Sequence, residues 1–232
     1  MTGRRFLFLL FALAGAVGAT GLAHAENGPP AGYGAAMGWY ERAAAAGDAD
    51  AQYYLGMMYA RGLRVRRDAA EAARWYAAAA RQGHARAQFQ IATAYLTGAG
   101  VARDPAKAAD WFAEAARQGV AEAQYNLGHL HEVGSGVPRD RTRAAAWYLK
   151  AAEQGLVRAQ RNLALLYLAP GWVERDPARA LMWLTLAAEA GDGDAVPARD
   201  RLRESLDAGA RDRADGLAAE MRKRLPRKGT TR

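Results

Sequence analysis

The sequence predicts an all-α protein, a right-handed α/α superhelical solenoid of about four 36-residue helix-turn-helix repeats with capping helices. Tryptophan recurs at a constant spacing of 36 residues, and glycine, aspartate and glutamine keep the same spacing without a gap. Self-similarity at a fixed period of this length is the signature of a repeat architecture. The columns are Trp39, Trp75, Trp111, Trp147 and Trp183; Gly47, Gly83, Gly119, Gly155 and Gly191; Asp68, Asp104, Asp140 and Asp176; and Gln52, Gln88, Gln124 and Gln160.

The first helix of each repeat, helix A, follows from an apolar stripe. In the second repeat, apolar or small residues fall at the i, i+4, i+7, i+8 and i+11 positions of an amphipathic helix. They are Ala87, Ile91, Ala94, Tyr95 and Gly98. Gly98 is expected to end the helix, because glycine adopts the left-handed C-cap conformation without a steric cost. The equivalent glycines of the first and third repeats are Gly62 and Gly134.

The second helix, helix B, begins after a short turn. Asp104 is expected to cap its free amide groups, and Pro105 occupies the first helical position, where a missing N–H donor costs nothing. Residues 176–177 repeat this Asp-Pro pattern. In the first repeat, Asp68 and Glu71 have the spacing of a capping box.

Helix B carries large aromatic residues beside small ones and is expected to end at Gly119. We interpret the tryptophan column as the buried spine of helix B, since each tryptophan with the tyrosine or phenylalanine after it supplies a large buried area. One helical hairpin cannot bury such a face, so neighbouring repeats must stack. In the second repeat the stripe is Ala108, Trp111, Phe112, Ala115 and Ala116.

These residues resemble the Sel1-like repeat family, a 36-residue relative of the tetratricopeptide repeat. Residues 87–119 and 123–155 meet its consensus almost completely, and the resemblance spans residues 35–195. It implies a solenoid that binds other proteins, as in signalling and envelope-assembly relatives. The departures concern packing: Arg64 replaces a turn glycine, residues 170–172 replace the turn of repeat four, and His131 occupies a tyrosine position.

The repeat pattern divides the whole chain into segments. A lone helix B precedes the first repeat, and two degenerate helices follow the fourth, as solenoid ends need caps over the open core. The predicted segments are a signal peptide at 1–25, a linker at 26–34, an N-terminal capping helix at 35–50, repeats at 51–86, 87–122, 123–158 and 159–194, C-terminal capping helices at 195–225, and a basic disordered tail at 226–232.

The N-terminal segment has the pattern of an export signal. Arg4 and Arg5 precede an apolar stretch, and residues 23–25 read Ala-His-Ala, a small-x-small cleavage site. We expect cleavage after Ala25 and a periplasmic or secreted protein. An uncleaved anchor is the alternative, because residues 6–23 lack charge and approach the roughly 20 residues that span a bilayer.

The excess of basic residues, 32 Lys and Arg against 24 Asp and Glu, comes from the two ends of the chain. Two arginines lie in the leader and six basic residues lie in residues 222–232, so the repeat body is balanced. A neutral body in an exported chain excludes nucleic acid as the expected partner. The basic tail could make weak contact with anionic lipid or polysaccharide, or be a solvated terminus.

The sequence lacks the residue combinations that catalytic and metal sites need. We therefore expect no enzyme, no cofactor and no metal site. There is no cysteine. The two serines, Ser135 and Ser205, stand outside the motifs of serine acyl-enzymes. The glycine pairs of the turns recur with the repeat and lack a phosphate-loop lysine, so they are helix caps. His129 and Glu132 can share a helix face, but two ligands make a weak metal site.

The remaining candidate is a binding surface on helix A. On a helical wheel, the third, seventh and tenth repeat positions point away from the core stripe and are expected to line the concave face. A run of exposed apolar and aromatic side chains across repeats suits a partner peptide or helix. The alternative is that the aromatic residues pack within their repeats. The candidate residues are Tyr53, Met57, Phe89, Thr93, Leu96, Tyr125, His129, Glu132, Arg161 and Leu165.

Three functions follow in order of preference. The first is an adaptor or regulator of envelope signalling or assembly that holds another protein or peptide in the concave groove. The second is a glycan- or peptidoglycan-binding module that uses the aromatic side chains as stacking platforms. The third is a β-lactamase-like hydrolase, for which the sequence offers no nucleophile.

Overall fold

A computed structural model describes residues 33–170 and 175–226, and within these ranges eleven α-helices and no strand are present. The prediction of an α-helical repeat solenoid is confirmed. The predicted signal peptide, most of the linker, residues 171–174 and residues 227–232 of the tail lie outside the described residues. The helices are α1 (Tyr33–Ala45), α2 (Ala49–Arg61), α3 (Ala69–Arg81), α4 (Ala85–Thr97), α5 (Pro105–Arg117), α6 (Ala121–Val133), α7 (Arg141–Glu153), α8 (Val157–Leu168), α9 (Pro177–Glu189), α10 (Ala195–Ser205) and α11 (Ala208–Arg224).

Each repeat is a hairpin whose two helices also contact the neighbouring repeat. Helices α2, α4, α6 and α8 are the A helices, and α3, α5, α7 and α9 are the B helices. Every A helix packs on the B helix that follows it, and every B helix packs on the next A helix. Within the described ranges, no helix is both long and apolar enough to cross a membrane.

The caps form where the sequence predicts them. Gly62, Gly98 and Gly134 are left-handed C-caps with φ of 69°, 79° and 77°. Asp104 accepts a hydrogen bond from the Lys107 amide at the start of α5, and the N–H bonds of Lys107 and its side-chain ammonium lower the pKa of this carboxyl. These bonds fix where each B helix begins.

The capping box predicted for Asp68 and Glu71 forms on one side only. The Asp68 carboxylate accepts from the Ala70 and Glu71 amides, as expected. The return bond is absent because the Asp68 amide already donates to the Tyr59 carbonyl at 3.0 Å. Glu71 pairs with Arg74 instead.

The tryptophan column is not a uniformly buried spine, which corrects the interpretation of the sequence. Only Trp183 is buried, with 1% of its surface exposed, whereas the other four tryptophans are half-buried. In the first three repeats the residue after the tryptophan lies against a ring of helix A of the same repeat, and Phe112 and Tyr148 are fully buried. The tryptophan lies about 100° further round the helix, at a side that α11 covers in the fourth repeat.

The C-terminal helix α11 closes that side because it packs on α9. Ala218, Leu217 and Met221 of α11 share a hydrophobic cluster with Trp183. Ion pairs hold both ends of α11: Arg213 to Asp176 and Arg222 to Glu189, and the Arg222 bonds lower the pKa of the Glu189 carboxyl. Arg222, one of the six C-terminal basic residues, is therefore part of the folded cap.

The glutamine column forms a ladder of side-chain hydrogen bonds that joins the repeats. Gln88 on α4 donates to the Ala80 carbonyl of the preceding B helix at 3.2 Å. Its oxygen accepts from Gln118 at the end of the following B helix at 2.7 Å. The ladder stops at the fourth repeat, where Ala190 stands in place of the second glutamine and the buried Gln160 oxygen has no hydrogen-bond partner among the described residues.

Replacing Ala190 by glutamine is expected to raise the free energy of unfolding by about 1 kcal/mol, the net value of a hydrogen bond to a buried acceptor. Glutamine fits the backbone conformation at this position, because Ala190 has φ −79° and ψ −4°, close to the −82° and 4° of Gln118. Urea denaturation measures the change. Ala190→Met supplies similar length without an amide, and equal stabilisation by methionine would contradict the explanation.

The second glycine of each turn lies against the preceding repeat. A Cβ atom on Gly100 would stand 2.0 Å from the Ala69 carbonyl oxygen, and one on Gly136 would stand 2.3 Å from Pro105 backbone atoms. Both glycines have positive φ, 77° and 73°. Arg64 holds the same position in the first repeat with φ 65°, and among the described residues it alone has positive φ without being glycine.

Candidate interaction surface on the A helices

The aromatic residues at the third repeat position belong partly to the core. Tyr53, Phe89 and Tyr125 are half-buried. Each ring lies against the aromatic residue of its own helix B: Tyr53 on Tyr76 at 5.9 Å, Phe89 on Phe112 at 5.8 Å, and Tyr125 on Tyr148 at 5.4 Å between centroids. The column therefore packs within the repeats, as the alternative interpretation has it, while part of each ring remains accessible.

We use the name helix-A face for the side chains at the third, fourth, seventh and tenth positions of α2, α4, α6 and α8. The fourth position adds side chains that the sequence analysis missed. They are uncharged and able to form hydrogen bonds, and only the recurrence of amides in register could have revealed them. These residues are Tyr54, Gln90, Asn126 and Asn162.

A cluster of rings lies at the N-terminal end of this face. Tyr40 of α1 lies 5.1 Å from Trp39 and 5.5 Å from Tyr54, and Tyr54 lies 5.5 Å from Tyr53. The ring of Tyr53 stacks on His84 at 4.6 Å. Tyr54 is 40% exposed, so the cluster presents an aromatic surface to solvent.

His84 has a structural role in this cluster. Its Nδ1 accepts the Ala87 amide at the start of α4, at 3.0 Å, so the ring is a helix cap. Its Nε2 lies 3.2 Å from the carboxylate of Asp50, which is highly exposed. These two contacts hold the imidazole flat against Tyr53, so the stacked pair of Tyr53 and His84 is in place without a partner.

The third and fourth repeats share a polar network on the same face. The Tyr148 hydroxyl donates to Glu132 at 2.7 Å. The Asn162 amide lies 3.4 Å from the hydroxyl oxygens of both Tyr148 and Tyr125. Burial raises the pKa of Tyr148 well above its usual range, and the bond to Glu132 raises it further. The phenol is therefore a fixed donor.

The seventh and tenth positions complete the face. Thr93, Met57 and Leu96 are half-buried, and His129 and Leu165 are exposed, Leu165 by 49%. The aromatic column ends at Arg161, which forms ion pairs with Asp192 and Asp194 at 2.7 and 2.6 Å. Its charge is thus paired with carboxylates, and Leu165 is the exposed apolar side chain at the C-terminal end of the face.

The residues considered for catalysis and metal binding are not brought together. Ser205 donates to the Leu202 carbonyl within its own helix, and Ser135 lies in the turn after α6. His129 Nδ1 lies 3.9 Å from Glu132, with no third ligand. Residues 33–170 and 175–226 contain no group of three His, Asp or Glu side chains that could hold a metal ion.

Comparison with known proteins points to one family. A family model described as Sel1 repeat matches residues 16–48, 49–84, 85–120, 121–156 and 157–192. The first of these five matches includes all of α1 and reaches into the predicted leader. No curated protein matches significantly.

Two solved structures share the fold with a similar degree of sequence identity. A Sel1 repeat protein from Oxalobacter formigenes has 34% identity and a TM-score of 0.70, over 83% of this chain and 80% of that chain. A protective antigen present in uropathogenic Escherichia coli strains, displaying an SLR fold, has 34% identity and a TM-score of 0.73 over 82% of this chain. The match spans 41% of the antigen's own length.

Proposed function

The chain belongs to the Sel1 repeat family, and on that premise we propose that it is a scaffold that holds a segment of another protein on its helix-A face. The observation that carries the proposal is the make-up of this face. Accessible rings lie beside a row of neutral hydrogen-bonding groups, and the row runs through all four repeats as Tyr54, Gln90, Asn126 and Asn162.

This combination suits a polypeptide for two physical reasons. Interface cores are enriched in aromatic residues and depleted in charged ones, and Arg161 is held in ion pairs with Asp192 and Asp194. Amide side chains can donate to and accept from a peptide backbone, whose polar groups need partners when they leave water. A face that is part of the packed repeats also loses little conformational entropy on binding.

The cellular setting that we propose is the bacterial periplasm or the exterior, where the protein would act as an adaptor or regulator of envelope signalling or assembly. The support is the leader pattern of residues 1–25. N-terminal sequencing of the protein recovered from the periplasmic fraction of a bacterial host tests it, and a chain that begins at Glu26 is the expected result.

The exposed side chains provide the test of the binding face, since removing the half-buried rings would also lower stability. We expect the change of Tyr54, His129 and Leu165 to alanine to weaken partner binding about tenfold or more, because truncating a central interface residue commonly costs more than 1 kcal/mol. The measurement is in-cell crosslinking followed by titration of the purified partner against both chains.

The matched control changes two exposed apolar residues that lie off the helix-A face, Val133 and Val196, to alanine. This variant is expected to bind its partner as the wild type does. If the triple variant keeps the full set of partners, the helix-A face is not the binding surface.

A glycan or peptidoglycan ligand is the second candidate, and the ring cluster at Tyr40 and Tyr54 favours it because exposed rings form stacking platforms. The two candidates separate in a sedimentation experiment with purified sacculi. Binding to sacculi that Tyr54→Ala abolishes supports the glycan, whereas binding of the protein partner alone supports the scaffold.

A further inference from the structure

The turn of the first repeat, residues 61–67, carries an unusual concentration of charge. We call it the basic turn. Its four arginines, Arg61, Arg64, Arg66 and Arg67, are all exposed, and the segment has no acidic residue. The corresponding turns at 97–103 and 133–139 have one arginine each. The charge is therefore a property of the first repeat and is not needed to build a repeat.

The backbone of the basic turn supports the same conclusion. Arg64 has φ 65° at the position where the second and third repeats have glycine. A non-glycine residue costs roughly 1–2 kcal/mol in this left-handed conformation. Strain of this kind is concentrated at functional sites, so the backbone marks the basic turn as a candidate site.

The two carboxylates that follow the basic turn, Asp68 and Glu71, have partners outside the turn. Asp68 accepts two amide hydrogen bonds at the start of α3, and Glu71 pairs with Arg74. Across the described ranges, Arg66 and Arg67 form no ion pair. Both arginines line an open cavity of about 810 Å³ together with Tyr59, Val65 and Asp68.

Arg67 differs from its counterparts in one further respect. The equivalent arginines, Arg103 and Arg139, donate through Nε to the carbonyls of Leu96 and Glu132, at 3.1 and 3.0 Å. Those bonds hold the side chain against the end of helix A. Arg67 makes no such bond, so its guanidinium can turn outward.

We propose that the basic turn docks on the surface of an anionic lipid bilayer. The choice of a bilayer over a soluble polyanion rests on Leu63, which is 44% exposed in the middle of the four arginines. Arginines around an accessible apolar side chain match a surface whose outer layer is anionic and whose inner layer is apolar. In this arrangement Arg61, Arg66 and Arg67 contact lipid phosphates and Leu63 enters the headgroup region, while the helix-A face is used by a protein partner.

The repeats themselves supply the variant that tests this proposal. The changes Arg61→Thr, Leu63→Ala, Arg64→Gly and Arg66→Ala convert the basic turn into the sequence of residues 97–103. This segment already forms a turn in the second repeat. Because Arg64→Gly relieves the left-handed strain, the thermal midpoint should not fall. A second variant, Arg61→Gln with Arg66→Gln, leaves Leu63 and Arg64 in place. It tests the contribution of the positive charge alone if the first variant has a lower thermal midpoint.

The measurement is co-sedimentation of the chain recovered after export with vesicles of equimolar phosphatidylglycerol and phosphatidylcholine. The turn variant is expected to have a partition coefficient about 100-fold lower, because each basic residue contributes roughly 1 kcal/mol at such a surface. Binding of the wild type should also weaken as salt is raised. The control removes three charges from the C-terminal tail by Arg227→Ser, Lys228→Ser and Arg232→Ser and should keep most of the affinity.

Three results would overturn the proposal. The first is equal binding of the wild type to pure phosphatidylcholine vesicles. The second is a loss in the tail variant as large as in the turn variant. The third is binding to a soluble acidic polysaccharide such as heparin without binding to the anionic vesicles.

Discussion

Replacing Gly100 by alanine is expected to lower the free energy of unfolding by about 2–5 kcal/mol. The left-handed backbone adds roughly 1–2 kcal/mol for a residue with a Cβ atom. Forcing an atom into a filled space adds roughly 1–3 kcal/mol. The new Cβ would stand 2.0 Å from the Ala69 carbonyl oxygen, which is a backbone atom and cannot rotate away.

The change is measured by urea denaturation followed by far-ultraviolet circular dichroism. Gly119→Ala is the matched control, since Gly119 has φ 88° but its Cβ would meet nothing within 4 Å. It isolates the backbone cost, which should be about 1–2 kcal/mol. Equal losses for both variants would show that the first-repeat and second-repeat backbones do not approach as closely as described.

Replacing Trp183 by alanine is expected to cost about 3–5 kcal/mol, as for other large buried side chains. The same change at Trp111 should cost only about 1–2 kcal/mol, because a half-buried ring removes less apolar area from water. The two residues occupy the same repeat position but differ in how much of the ring is exposed to solvent. Trp183 is 1% exposed under α11, whereas Trp111 faces solvent on one side.

Thermal and urea denaturation of the two variants provide the comparison. The buried Phe112 is a useful reference, since Phe112→Ala should resemble Trp183→Ala more than Trp111→Ala. If the two tryptophan variants lose the same stability, α11 does not protect the fourth repeat.

Much of the fold could be predicted because its signals are local. The left-handed conformation at Gly98 and the aspartate cap at Asp104 depend on a few neighbouring residues, and both form as expected. The spacing of 36 residues then places each helix relative to the next. The capping box at Asp68 and Glu71 forms only in part because of a residue outside the box. The Asp68 amide donates its hydrogen bond to the Tyr59 carbonyl and is not available to Glu71.

The burial of the tryptophans and the details of the face could not be predicted in the same way. Whether Trp183 is covered depends on where α11 packs, and nothing in the sequence of α9 states this. The stacking of Tyr53 on His84 depends on a contact between α2 and the residue that caps α4. Such contacts follow from the geometry of stacking, which a helical wheel of a single helix leaves out.

The glutamine ladder has a direction, and this decides how such a chain can change in length. Each glutamine on helix A donates backward to the previous repeat, and the glutamine that ends helix B donates to it in turn. Every junction is therefore alike, so a whole repeat can be added or lost with all bonds re-formed, whereas a fraction of a repeat leaves buried amides without partners. The open oxygen of Gln160 is the exception inside a repeat, because its missing donor is the glutamine that Ala190 replaces at the end of the same helix B.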